Sequence, residues 1–211
     1  MTILYEDSEI IVCIKPSGMM SQGGKSDCVS YLNGYFSKNN VNATAYPVHR
    51  LDKETSGVMV FAKNGKSAAG LSKQISDNEM KKHYLAVING SPEKKSGVLK
   101  DLLFHDRQKN KTYTVKRTRK GVKEASLEYR TVAESENLSL LDILLHTGRT
   151  HQIRVQFSSR QLPLYGDGKY GGGSGKLALF AYKLEFRHPA THEEMVFTSE
   201  PNQSEYPWNL F

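Results

Sequence analysis

Apolar and polar positions along this chain fall into short blocks, and more of them carry the two-residue period of a strand than the 3.6-residue period of a helix. Leu4–Lys15 alternates, then runs apolar, and closes on Pro16-Ser17-Gly18, which predicts two short strands and a turn. Gln22–Lys25 is a polar, glycine-rich loop, Cys28–Phe36 a short helix and Lys38–Thr44 a polar loop. Tyr46–Leu51 leads into a polar turn over Asp52–Gly57, and GVMVFA at Gly57–Ala62 predicts a buried strand. Lys66–Ser76 spaces Ala68, Leu71 and Ile75 as a helix does. His83–Asn89 predicts a strand ending at Gly90, followed by a loop at Lys94–Gly97. Between Asp106 and Glu124 lies a polar, basic stretch whose Thr/Tyr/Val centre predicts an exposed strand or hairpin. Leu127–Glu134 and Leu138–Leu145 alternate as paired strands.

Thr150–Ser159 predicts a helix with Thr150 as N-cap and Ile153, Val155 and Phe157 inward, although its β-branched residues favour a strand. Pro163–Gly175 is a glycine-rich loop, and Leu177–Phe186 and Glu194–Thr198 are strands around a His188-Pro189 turn. No internal repeat or low-complexity linker interrupts the series. The pattern predicts one α+β domain over residues 1–211, dominated by strands rather than by regular βαβ units.

Charge adds a partner class to this picture. The 211 residues carry 29 Lys and Arg against 22 Asp and Glu, a formal net charge of +7. The resulting pI of about 9.3 makes a strongly anionic partner such as nucleic acid the first hypothesis. The N-terminus is acidic where a signal peptide is basic, and the apolar run Ile10–Ile14 is too short for a signal core. No apolar stretch approaches the roughly 20 residues that span a bilayer. The expectation is a soluble, cytoplasmic chain without a membrane partner. Two cysteines make neither a disulfide framework nor a zinc site: Cys13 reads as a core residue and Cys28 as a loop or helix-start thiol.

Several motifs lead nowhere. Gly166-Asp167-Gly168-Lys169-Tyr170-Gly171 fits G-x-G-x-x-G but lacks the strand before it and the helix after it that a dinucleotide fingerprint needs. Gly175-Lys176 has neither the leading glycine nor the following Ser/Thr of a P-loop. The pairs His146/His151 and His188/His192 lack a third ligand and the helical context of a zinc motif. Ser8, Ser21 and Ser56 have no nucleophile-elbow surroundings.

What remains is YPVHRLDKETSGVMVFAKN at Tyr46–Asn64, where Asp52 stands at the mouth of the buried strand with Arg50, Lys53 and His49 close by. On residues alone two readings stay open: a reactive carboxylate on a loop held by a scaffold, or an Asp52/Thr55 turn cap. HRLDKETSG resembles the signature of the RluA-type pseudouridine synthase family. ILYEDSEIIVCIKPSGM is similar to that family's opening strand pair and KP-x-G turn. KKHYLAVING resembles its K-x-Y-x-A strand, LLHTGRTHQIRVQFSSRQLPLYGDGKYGG its third motif, and LALFAYKLEFRHP its closing strand and turn. The segments follow in the family's order and cover nearly the whole chain.

The resemblance implies a mixed, mostly antiparallel sheet with flanking helices and an RNA-binding cleft. It implies an isomerase that breaks the N-glycosidic bond of a uridine in RNA, turns the base and rejoins it through carbon 5, without cofactor or metal. By motif position Asp52 is the catalytic carboxylate, attacking sugar or base or acting as a base. Arg154 would orient a carboxylate through its guanidinium fork, Tyr84 would stack on the target uracil and serve proton transfer, and Arg50 would fill the gap left by the flipped base. On residues alone Arg154 reads as a surface arginine, Tyr84 as a packed strand tyrosine and Arg50 as a partner of Asp52. Lys109, Lys111, Lys116, Arg117, Arg119, Lys120 and Lys123 around Tyr113 suit a phosphate-binding arm as well as a merely solvated hairpin. Gln156 and Phe180 stand where the family often has histidine. The catalytic pattern begins within the first residues, so no separate N-terminal RNA-binding domain is expected. Transfer and ribosomal RNA both remain as targets, recognised by shape and stacking, and the chain is expected to act as a monomer. Two rivals differ in class. One is an RNA-binding module without catalysis; the other is a nucleoside or glycoside hydrolase, which usually needs two carboxylates.

Overall fold

The computed structural model describes residues 1–211. The chain divides into two compact units, Met1–Lys82 with Ala181–Glu200 and His83–Phe180 with Pro201–Phe211. Both crossings fall inside strands, β5 (Lys81–Asn89) and β10 (Leu179–Arg187), not in linkers. That is why no shift in composition marks the division and the sequence pattern reads as one domain.

The first unit orders its strands β1 (Thr2–Glu6), β2 (Ile10–Lys15), β4 (Ser56–Ala62) and β10, with the short β3 (Tyr46–Pro47) on β4 and β11 (Glu194–Thr198) on β10. The pairs β1–β2, β2–β4, β3–β4 and β10–β11 are antiparallel. β2 and β4 are buried at nearly every position, so they read as apolar runs rather than alternations. Ile10, Val12, Val58, Val60 and Ala62 share one face and pack with Leu71 of α2 (Gly65–Ser76) and with Leu184 and Phe186 of β10. The other helix of this unit, α1 (Cys28–Lys38), starts where Asp27 accepts a hydrogen bond from Ser30 N at 2.8 Å. Asn64 caps α2 in the same way through Ser67 N at 2.9 Å.

The second unit orders β5, β9 (Leu138–Leu145), β8 (Val122–Ser135), β6 (Ser96–Asp106) and β7 (Lys111–Val115), and β6–β7, β6–β8 and β8–β9 are antiparallel. β6 has no counterpart in the sequence pattern. Its two buried leucines, Leu99 and Leu103, are four residues apart with Lys100 and Asp101 between, a spacing that hides the strand period. α3 (Gln152–Ser158) corrects another expectation: Thr150 is not its N-cap. A tight turn closes between Arg149 O and Gln152 N at 3.1 Å and brings His151 into the left-handed region at φ 53°, where it caps the helix without a side-chain bond. Gln152 through Phe157 are all buried, so α3 is an interior helix and its β-branched residues cost it little. No helix is long and apolar enough to cross a membrane.

Candidate active site

In the first unit Asp52 stands on the loop between β3 and β4, half-buried between Leu51 and the exposed Lys53. The antiparallel register places Lys15, the last residue of β2, opposite Gly57, so the turn after β2 runs beside this loop. The two segments are stapled together. The Lys15 ammonium, fully buried, donates to Pro16 O at 2.9 Å, Met19 O at 2.6 Å and Lys53 O at 3.1 Å. Gly18 N donates to the same Lys53 oxygen at 2.8 Å, and Ser17 Oγ donates to Glu54 O at 2.7 Å. On the other side of Asp52, Ser21 Oγ receives Leu51 N and donates to Leu51 O, both at 3.0 Å. Thr55 N closes the turn on Asp52 O at 3.1 Å. The backbone on both sides of Asp52 is therefore held from outside the loop, which fixes where its carboxylate emerges. Burial pulls the Lys15 ammonium down to about 8, while Cys28, Asp52 and Glu54 act in the opposite sense. The sequence reading saw the KP-x-G turn as part of a resemblance and assigned Lys15 no role; its only signal is a lysine ending an apolar strand.

His49, three residues before Asp52, accepts Val60 N at 3.2 Å through Nε2. Burial depresses it to about 3, with the Lys82 charge acting in the same sense, so it is a neutral structural group. Arg50 is exposed beside it.

Tyr84 and Arg154 belong to the second unit. Tyr84 is on β5 and only 6% exposed. Arg154 lies on α3, buried rather than on the surface, with a two-point grip on Asp167. Its Nε donates to Oδ2 at 2.7 Å and its Nη2 to Oδ1 at 2.8 Å. The Tyr170 ring lies 5.2 Å from the guanidinium carbon. Asp167 comes from the glycine-rich loop set aside as a failed dinucleotide motif; the loop supplies the arginine's carboxylate. Tyr170 OH accepts Thr112 N at 2.8 Å, so its own proton goes to His151 Nδ1, 2.9 Å away.

The basic stretch is an exposed hairpin and turn. Lys109 lies between β6 and β7, Lys111 on β7, and Lys116, Arg117, Arg119 and Lys120 between β7 and β8. Arg119 packs over the Phe104 ring at 4.7 Å.

Comparison with known proteins places this arrangement. The RNA pseudouridylate synthase pattern matches residues 9–159, a span that includes Arg50, Asp52, Tyr84 and Arg154. The chain is 36% identical over 203 residues to the RNA pseudouridine synthase YhcT of Bacillus subtilis, covering 92% of this chain and 66% of that protein. It is 35% identical over 238 residues to an RNA pseudouridine synthase of Aquifex aeolicus, covering 98% and 72%. It is 35% identical over 197 residues to the ribosomal large subunit pseudouridine synthase D of Borreliella burgdorferi, covering 87% and 60%. The chain thus spans about two thirds of the length of these relatives. Among solved structures, human RNA Pseudouridylate Synthase Domain Containing 4 superposes with a TM-score of 0.81 at 24% identity over 95% of this chain and 89% of that one. Domain Containing 1 does so at 0.76 and 18%, over 95% and 83%. These two show the fold, and the sequence relatives show the lineage: the chain belongs to the RluA-type RNA pseudouridine synthase family, a family of RNA isomerases.

Proposed function

We propose that this chain isomerises a uridine of large-subunit ribosomal RNA to pseudouridine, with Asp52 as the catalytic carboxylate. The observation that carries the reading is the Asp52 loop, whose backbone is fixed on both sides by the buried Lys15 ammonium and by Ser21. A reactive group gains most from such fixing when it must meet one atom of a large substrate. The reaction breaks the bond between ribose C1′ and N1 of uracil and forms one between C1′ and C5. C5 gives up its proton and N1 gains one, so atoms balance without a cofactor. A carboxylate can carry the fragment while the base turns. The target base has to leave its stack, at a cost of a few kcal/mol, and the exposed Arg50 is suited to take its place. Tyr84 and Arg154 enter this reading through the motif positions they occupy. Relatives named for the ribosomal large subunit favour that RNA over transfer RNA.

The test is chemical labelling of pseudouridine and primer extension on unmodified large-subunit rRNA and on transfer RNA. Wild-type protein is expected to create a new stop in the ribosomal transcript. Asp52→Asn is expected to lower the rate at least about 10⁴-fold while keeping RNA affinity. Tyr84→Phe is expected to lower turnover with little change in binding. A stop confined to transfer RNA would redirect the target; a fully active Asp52→Asn would remove the catalytic assignment.

A further inference from the structure

A cavity of about 440 Å³ opens within the second unit, away from the Asp52 loop in sequence and carried by other elements. Its walls are β7 from Lys111 to Thr114, the last turn of α3 with Ser158 and Ser159, and the loop from Lys169 to Gly171. The volume lies within the roughly 300–1,000 Å³ of small-molecule sites. The chemistry of the wall is one-sided: two ammonium groups, several hydroxyls, two phenol rings and no carboxylate.

The ammonium groups are unusual for this protein. Its other partly buried cations are neutralised: Lys63 by Glu6 at 2.8 Å, Lys183 by Glu185 at 2.8 Å, Arg160 by Asp101 at 2.9 Å. Lys111 instead has ring faces for neighbours, its Nζ 5.3 Å from the Tyr170 centroid and 6.0 Å from that of Tyr113. Lys169 spends one of its three protons on Asn110 O at 2.9 Å, a contact that holds its ammonium at the base of the β6–β7 turn. Tyr170 is buried and fixed by Thr112 and His151, so that wall is rigid. Tyr113 is 38% exposed, a flat ring on a solvent-facing strand beside a cation. Unneutralised ammonium groups next to an open aromatic face match a phosphate joined to a planar base.

We propose that this pocket binds one nucleotide of the substrate RNA, with its phosphate between Lys111 and Lys169 and its base against Tyr113. The assignment rests on RNA being the substrate and adds a contact point remote in sequence from Asp52. It divides the basic stretch: Lys111 grips in a formed pocket, while Lys116, Arg117 and Lys120 stand exposed outside it.

The test uses the full chain as wild type, Lys111→Gln/Lys169→Gln, Tyr113→Ala, and Lys38→Gln/Lys66→Gln, a control that removes the same charge from exposed sites on or near the helices of the first unit. Fluorescence anisotropy over a salt series reads binding of labelled octauridylate and of the large-subunit rRNA transcript. The pocket lysine variant is expected to bind about tenfold more weakly than the control variant, with the log–log salt slope reduced by about 1.4, or 0.7 for each lost single-strand phosphate contact. Tyr113→Ala is expected to lose about tenfold on octauridylate. Neither lysine is in an ion pair, so equal melting temperatures are expected to show all variants folded. Equal losses in pocket and control variants, or none in the pocket variant, would overturn the site. So would uridine monophosphate binding that needs the lysines while RNA affinity does not, since the pocket would then serve a free nucleotide. Pseudouridine formation is assayed separately. RNA binding that depends on the pocket, in a protein that modifies nothing, would sink the proposed activity and leave the pocket standing.

Discussion

The Arg154–Asp167 pair shows how much one contact can carry. Both side chains are almost wholly buried, and the pair uses both carboxylate oxygens. Removing one partner of a buried ion pair typically costs about 3–5 kcal/mol, because the other charge is left in a low-dielectric site. Asp167→Asn is therefore expected to lower the unfolding free energy by that order in urea titrations. A loss below about 1 kcal/mol would mean that the pair is no better than a surface contact. Arg154→Lys keeps the charge but lacks the planar fork, and is expected to fall between wild type and Asp167→Asn. Arg154 was legible in the chain through its motif. Asp167 was not, because a carboxylate thirteen positions away in a glycine loop shows no spacing that ties it to a helix. Cys13 was read correctly from its strand: it is buried, and burial pushes its thiol up to about 12.

At the scale of elements, the Asp52 loop depends on the turn after β2. Lys15→Met keeps the length of the side chain and removes its ammonium, leaving three backbone carbonyls without their donor. The expected cost is about 1–3 kcal/mol, together with a fall in turnover larger than that of a substitution of equal cost elsewhere. Rising pH makes the same point without mutation. Lys15 titrates near 8 in the folded chain against an ordinary value of 10.5. Between those values the unfolded chain holds a proton that the native one has released, so from this group stability rises with pH across that window. Activity is nonetheless expected to fall above about pH 8, as the staple loses a donor. A pH–rate profile run beside urea midpoints separates the two trends. Gly57 sets a second constraint on the same loop. At φ 129° an added Cβ would sit 2.3 Å from Ala181 O, within the same unit. Gly57→Ala is expected to cost on the order of 3 kcal/mol by thermal or urea unfolding. The glycine's place after TS was visible in the sequence; the strand it must approach was not.

For the molecule as a whole, pH is also a handle on folding. His49 is held neutral by burial, about 3 against an ordinary 6.5. Its contribution is fully present above pH 6.5. As pH falls below that value the unfolded chain takes up a proton that the native chain refuses, so stability declines, by up to about 1.4 kcal/mol per pH unit. Urea midpoints measured from pH 7 to 5 are expected to fall along that line, and His49→Gln, which still offers Val60 N an acceptor, is expected to flatten it. An unchanged slope in the variant would place the pH sensitivity elsewhere. The two compact units do not alter this sign, since His49 and Val60 lie in the same one.

The sequence by itself determined the elements whose pattern is local. β2 and β4 announced themselves because both faces are buried, α1 and α2 because their caps and apolar spacing lie within a few residues, and Asp52 because HRLDKETSG is one uninterrupted motif. Tertiary structure alone decided what depends on segments far apart in the chain. It made β6 a strand by pairing it on both sides, moved the cap of α3 to a left-handed His151, and put Lys53 O over the Lys15 ammonium. It also drew Asp167 under Arg154 and closed a basic pocket from β7, α3 and a glycine loop. The physical reason is common to these cases. A local pattern reports which face of an element is apolar; which partner satisfies a buried charge or carbonyl is set by the packing of distant segments.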